Sequence, residues 1–169
     1  MKNQSRKSFL EQSKIIIYRI EDLILVGLLL LMIVMSVLQI FLRNFFAAGI
    51  VWSDVMVRVL VLWVGLIGAM VASRHGNHIN IDIMDRYLSP RAKIIANCVV
   101  ELFTAIVCLV VAYYSLQFVQ MEFVDGSESF AKVPAWVCEA IIPFAFMVIS
   151  LRYFLLSLIN FKDSINSPS

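Results

Sequence analysis

The sequence predicts an all-α membrane protein with four transmembrane helices, a fold class indicated by its composition and by the distribution of its charges. Hydrophobic residues make up 61% of the 169 residues, charged residues only 15%, and the mean hydropathy is +0.87. A water-soluble core of this size needs fewer apolar residues. The charges fall in a few clusters between long apolar runs, as expected when those runs face hydrocarbon. We therefore predict a single integral membrane domain over residues 1–169.

The first transmembrane helix is predicted at about residues 22–43. Residues 23–42 are 20 uncharged residues in a row, and as a helix they are about 30 Å long, one hydrocarbon thickness. The competing interpretation is a cleaved signal peptide, whose apolar core has only about 7–15 residues and precedes a small-residue cleavage site. The run is too long for that, so we predict that it stays as a membrane anchor.

The second and third helices are predicted at about residues 52–74 and 95–121. Asp54 and Arg58 lie in the first two turns of the second helix, four residues apart, so their side chains can form an ion pair near the membrane surface. The third helix contains another 20 uncharged residues, at 102–121. Both helices therefore keep their charges near their ends, where water is close.

The fourth helix, predicted at about residues 133–160, is the least regular. Pro143 predicts a kink, because proline lacks the N–H donor that continues a helix. Glu139 and Arg152 are membrane-embedded charges 13 residues apart, roughly 20 Å along a helix, so they cannot pair directly. Arg152 can extend toward water, whereas Glu139 is shorter and has more need of a partner.

Two amphipathic segments are predicted to lie along the membrane surface, residues 8–22 before the first span and residues 79–89 after the second. The alternative for the second segment is an ordinary solvated loop. The apolar residues of the two faces are Phe9, Ile16, Ile20 and Leu23 in the first segment and Ile79, Ile83, Met84, Tyr87 and Leu88 in the second.

Lysine and arginine residues predict the orientation. The N-terminal segment and the loop between the second and third helices carry nine of them, whereas the other two loops carry two. Short loops rich in these residues stay in the cytoplasm. We therefore predict a protein of the bacterial inner membrane with both termini in the cytoplasm and with the acidic linker, residues 122–128, in the periplasm.

The sequence contains no residues arranged for catalysis or for a cofactor. It has no phosphate loop, no dinucleotide fingerprint and no nucleophile with a base at recognisable spacing. His75 and His78 share one loop instead of facing each other across helices, which does not suit haem, and Cys98, Cys108 and Cys138 form no metal-binding pair. We predict no enzyme activity, no cofactor, no metal and no nucleic-acid partner. The apolar membrane midplane further predicts that this chain alone carries no transport path.

Small residues lie at helical spacing on one side of the second helix, at Gly65, Gly68, Ala69 and Ala72. Small residues let helix backbones approach closely in lipid. The spacing predicts a helix-packing face, and the neighbour is either a helix of this chain or one of another chain.

An ordered set of residues runs from the end of the first helix, through the second helix, into the loop after it. Its members are Gln39, Arg43, Trp52, Asp54, Arg58, Gly68, Ala69, Arg74, His78, Ile79 and Asp82. This set resembles a known family, the DctQ-like small membrane subunits of tripartite ATP-independent periplasmic (TRAP) transporters. The resemblance covers most of the chain, and four spans with both ends inside also fit it. Where that family often has two adjacent carboxylates after a tryptophan, this chain has Ser53 and Asp54.

The resemblance implies a non-catalytic subunit of a larger transporter. In such transporters a soluble periplasmic protein captures an organic acid, such as a C4-dicarboxylate or a sialic acid. A large membrane subunit then carries the acid inward by an elevator motion coupled to sodium, and the small subunit braces the large one. The large membrane subunit, the binding protein and membrane lipid are therefore the expected partners.

Specific residues are expected to make these contacts. Asp125 and Glu128 are expected to touch the binding protein, and Arg74, His78 and Asp82 form the cytoplasmic loop motif. Replacing Gly68 with leucine is expected to separate the two membrane subunits. The expected interface with the large subunit consists of Gln39, Arg43, Trp52, Asp54, Arg58, Gly65, Gly68, Ala69 and Ala72.

Two alternatives from other functional classes stay open at this point. One is a free-standing four-span carrier of the small multidrug type, working as a homodimer around Glu139. In that case the chain alone moves substrate, and Glu139→Gln abolishes the movement. The other is a membrane anchor for a redox enzyme, which requires bound haem or quinone.

Overall fold

The structure, a computed structural model, describes residues 2–46, 52–75 and 90–166. Its fold is helical, as predicted. The elements are helix α1 (Lys2–Phe45), helix α2 (Ser53–Ala72), a 3₁₀ turn (Ser73–His75), helix α3 (Pro90–Asp125), strands β1 (Glu128–Phe130) and β2 (Val133–Pro134), helix α4 (Ala135–Glu139) and helix α5 (Ile141–Asn166). They form two compact units, Met1–Val71 and Ala72–Ser169.

Helix α1 is longer than predicted and has no break. We expected a surface helix at residues 8–22 that turns into a separate span, but one helix runs from Lys2 to Phe45. The physical reason is visible in the sequence, because this stretch contains no proline and its single glycine, Gly27, lies inside the apolar run. The second predicted surface segment, residues 79–89, lies outside the described residues.

Helices α1 and α2 run antiparallel within the first unit. Leu25 of α1 approaches Gly68 of α2, and Gln39, about four turns further along α1, bonds to Asp54 at the other end of α2. The half-buried residues of α1 recur at steps of three and four, the spacing of one helix face. They are Glu21, Leu25, Leu28, Met32, Met35, Gln39 and Leu42, and Ser36 beside Met35 is half-buried as well.

Helices α3 and α5 pack side by side and antiparallel in the second unit. Small residues hold their backbones close, since Ala145 is 0% exposed and Ala112 and Ala105 are only 2% and 3% exposed. The Ser150 hydroxyl donates to the Ala105 carbonyl across the contact, at 2.8 Å. Along α3 the seam residues recur at steps of three and four, and they are Cys98, Glu101, Ala105, Cys108 and Ala112.

The linker between the third and fourth spans contains a small β-hairpin that the sequence analysis did not predict. Helix α3 ends where Gly126 adopts a left-handed conformation (φ 64°) and its N–H bonds to the Glu122 carbonyl. Strands β1 and β2 then pair antiparallel around Ala131 and Lys132, which have φ values of 45° and 65°. Two central residues with positive φ are typical of the tight turn that matches strand twist.

The fourth span is interrupted, as predicted, but the interruption lies before the proline. Helix α4 ends at Glu139, Ala140 separates it from α5, and Pro143 is the third residue of α5. Pro143 cannot donate to the Glu139 carbonyl four residues earlier, and the next bond, from the Phe144 N–H to the Ala140 carbonyl, is long at 3.5 Å. The proline therefore weakens the turn that precedes it.

Candidate functional site

One exposed face of helix α2 contains five of the nine residues that we expected to contact the large subunit. Its members follow one another at steps of three and four, which keeps them on one side of the helix. The exposed residues of this α2 face are Asp54, Arg58, Val61, Gly65, Ala69 and Ala72. The buried residues of the same helix, Ser53, Leu60, Ile67 and Met70, lie elsewhere on its circumference.

Gly68 does not belong to the exposed α2 face. It is half-buried, and a Cβ atom built there lies 4.0 Å from Leu25 Cδ1 of α1. A Cβ atom built at Gly65, by contrast, meets nothing within 4 Å. Gly68 therefore packs within the chain, and the small residues that stay open to a further helix are Gly65, Ala69 and Ala72. Replacing Gly68 would disturb α1 as well as any interface, so it tests the interface poorly.

Gln39, Arg43 and Asp54 come together where α1 ends and α2 begins. The Gln39 side-chain amide donates to Asp54 Oδ1. Together with Ser36 and Ile40 they line a cavity of about 260 Å³. We expected Asp54 to pair with Arg58, but no ion pair joins these two described residues. The partner of Asp54 is the amide of Gln39 instead.

A polar ladder between α3 and α5 was missed by the sequence analysis. Glu101 is 6% exposed, and the Asn160 amide donates to both of its oxygens, at 2.7 and 2.8 Å. One turn along, the Ser157 hydroxyl lies 3.3 Å from both the Cys98 thiol and the Cys98 carbonyl oxygen. The heptad-like spacing of small and polar residues within apolar runs is the sequence pattern that could have indicated this contact.

Removing the amide of Asn160 is expected to destabilise the α3–α5 pair. In Asn160→Ala the buried Glu101 carboxylate loses both hydrogen bonds, which costs about 1–3 kcal/mol. Unfolding in increasing concentrations of a denaturing detergent, monitored by circular dichroism, measures the loss in free energy of unfolding. Asn160→Gln, which keeps the amide, serves as the control and should recover part of it. Equal stability of Asn160→Ala and the parent would contradict a structural role for this bond.

The remaining charged residues are dispersed. The Arg152 guanidinium donates to the Ser73 hydroxyl at 3.1 Å, whereas Glu139 Oε2 is buried without a hydrogen-bond partner in the described part of the chain. Asp125, at the end of α3, and Glu128, the first residue of β1, are exposed. Arg74 is half-buried in the 3₁₀ turn, and the other two members of its motif, His78 and Asp82, lie outside the described residues.

An apolar groove follows the α3–α5 pair. It encloses about 460 Å³, and its one polar lining residue, Ser150, has its hydroxyl bonded to the Ala105 carbonyl. Nothing in this groove can bind a charged solute. Its lining suits hydrocarbon, and consists of Leu102, Ala105, Ile106, Leu109, Met147, Ser150, Leu151 and Phe154.

Length and composition of the described helices define the class of the protein, a multi-pass membrane protein. Four stretches are long and apolar enough to cross a membrane, and these are Ile15–Phe45, Ser53–Ala72, Ile95–Asp125 and Ala135–Phe161. Residues 32–161 match the family described as tripartite ATP-independent periplasmic transporters, DctQ component. The chain belongs to this family, which confirms the resemblance found in its sequence.

A relative from Halomonas elongata supports the same assignment. It is named ectoine TRAP transporter small permease protein TeaB, and it is 23% identical to this chain over 147 residues. The match covers 86% of this chain and 76% of the relative. This chain is therefore a small permease subunit of a TRAP transporter.

Proposed function

We propose that this chain braces the large membrane subunit of its transporter in the bacterial inner membrane, with both termini in the cytoplasm. The observation that carries the proposal is the exposed α2 face, where Gly65, Ala69 and Ala72 leave a helix surface with little side-chain volume. Such a surface lets a second helix approach closely in lipid. Arg58, which is exposed at the polar end of the same face, supplies a group that can fix the register of that helix.

The low burial of the four spans within this chain supports a brace instead of a transport path. Each span contains an apolar stretch of 18 residues. From the first span to the fourth, only 0%, 17%, 22% and 33% of the residues in this stretch are buried within the chain. A carrier that works alone needs a polar site enclosed by its own helices. The cavity of about 460 Å³ along α3 and α5 is apolar. Solute passage and sodium coupling therefore belong to the large subunit.

The periplasmic binding protein is the proposed third component, and it delivers an organic acid to the membrane subunits. On this chain the exposed residues Asp125, at the end of α3, and Glu128, in β1, offer the binding protein an acidic contact. The proposed cargo is a carboxylate-bearing solute such as a C4-dicarboxylate or a sialic acid. Ectoine, which the relative's name specifies, is a further candidate for the same uptake assay.

Purification of the tagged full chain from its native membrane tests this proposal. We expect a large multi-span membrane protein to co-purify in a fixed ratio, as identified by mass spectrometry. The ligand that the soluble component holds then identifies the cargo. A chain that purifies only with copies of itself would support the free-standing carrier and overturn the brace. Stoichiometric haem or a redox enzyme in the preparation would support the anchor.

A further inference from the structure

The cavity between the end of α1 and the start of α2 has a composition that packing does not explain. Its volume is about 260 Å³, and four of its five lining residues are polar, Ser36, Gln39, Arg43 and Asp54. Pockets for drug-sized ligands enclose about 300–1,000 Å³, so this cavity suits a smaller group. Arg43 and Asp54 each lie within two residues of the end of a membrane-crossing stretch. The cavity therefore opens at the level where lipid headgroups lie.

The cavity presents one positive and one negative group that do not neutralise each other directly. Asp54 uses Oδ1 to accept the Gln39 amide, which orients the carboxylate and leaves Oδ2 outside that bond. Arg43 is exposed, and within the described residues no carboxylate forms an ion pair with it. Both charged groups are therefore available to a ligand.

A guanidinium binds phosphate through paired N–H donors, and a carboxylate accepts hydrogen bonds from an ammonium group. Phosphoethanolamine joins a phosphate to a primary ammonium within a small volume, and unlike phosphoserine it adds no carboxylate. We propose that this cavity binds the zwitterionic headgroup of phosphatidylethanolamine, with the phosphate at Arg43 and the ammonium at Asp54. A choline headgroup has no N–H to donate to Asp54, and a glycerol headgroup has no cation.

Lipid retention by the purified full chain tests the proposal. The chain is placed in nanodiscs with equal amounts of phosphatidylethanolamine, phosphatidylcholine and phosphatidylglycerol, and native mass spectrometry counts the lipids that survive detergent washing. We expect phosphatidylethanolamine to be retained preferentially. Arg43→Gln should lower its retention about tenfold, as expected from losing a charge-assisted bond. Arg43→Lys, which keeps the charge, should retain part of the binding.

Asp54→Asn tests the ammonium-binding part of the site by itself. The asparagine oxygen still accepts the hydrogen bond from the Gln39 amide but carries no charge. It should bind phosphatidylcholine as well as phosphatidylethanolamine. The matched control is Arg19→Gln, which removes an exposed arginine of α1 from outside the cavity and should leave lipid retention unchanged. Millimolar inorganic phosphate or soluble phosphoethanolamine, added as competitors, should displace little lipid.

Three outcomes would overturn the proposal. They are equal retention by the parent and Arg43→Gln, equal retention of phosphatidylglycerol and phosphatidylethanolamine by the parent, and full displacement of the lipid by inorganic phosphate. The last would make the cavity a site for free anions. The assay uses this chain without its large subunit, so its result is independent of the proposed brace, which co-purification reports separately.

Discussion

Gly65→Leu combined with Ala69→Leu is expected to abolish solute uptake and to separate this chain from the large subunit. Both residues lie on the exposed α2 face, and a Cβ built at Gly65 meets nothing within 4 Å of the chain. The two leucines therefore leave the fold of this chain intact while they hold a partner helix away. Co-purified large subunit should fall at least about tenfold, equivalent to roughly 1.4 kcal/mol of binding free energy.

Two matched variants make this result specific. Val61→Leu lies on the same exposed face but changes side-chain volume by a single methylene, so it should leave co-purification intact. Val99→Leu makes the same change on an exposed position of α3. If the double leucine variant folds correctly and retains normal uptake and co-purification, the α2 face is not the interface with the large subunit.

Ala145→Leu is expected to break the packing of α3 against α5. Ala145 of α5 is fully buried, so three additional carbon atoms force the helix backbones apart or the neighbouring side chains into strained rotamers. Overpacking of this kind costs about 1–3 kcal/mol, and it also disturbs the neighbouring Ser150 bond to the Ala105 carbonyl. Detergent-titrated unfolding should show the loss as an earlier midpoint.

Met147→Leu is the control for this variant, because the residue is exposed on the same helix and the two side chains have similar volumes. It should unfold at the parental midpoint. Ala145→Gly tests the opposite change, since it removes volume at the same site and should destabilise less than leucine does. A parental midpoint for Ala145→Leu would mean that α3 and α5 do not pack as closely as the structure shows.

Long uncharged runs made the spans predictable from sequence. Residues 23–42 carry too much apolar surface to be exposed to water. In lipid, a helix satisfies the hydrogen bonds of every backbone group within itself. The interruption of the fourth span was predictable in kind, because Pro143 must cost a helical bond. The position of the interruption was not predicted. Proline affects the carbonyl four residues earlier, so the break falls at Ala140 and not at Pro143 itself.

Other features depend on neighbours that the sequence does not reveal. Ala131 and Lys132 form the hairpin turn without the Asn-Gly or Asp-Gly signal that such turns usually have. Gly65 and Gly68 are three residues apart, about 60° around a helix, and only the position of Leu25 shows that one packs inside the chain. The burial of Glu101 could not be predicted, because its partner, Asn160, is 59 residues away in the sequence.

Reconstitution of the full chain into liposomes, alone and together with its large subunit, tests whether these four helices contain a transport path. With an inward sodium gradient and the loaded binding protein outside, the account predicts accumulation of the organic acid only in vesicles that contain both membrane subunits. Vesicles with this chain alone should match empty vesicles. Accumulation by this chain alone, and its loss in Glu139→Gln, would contradict the brace and assign the transport path to these four helices.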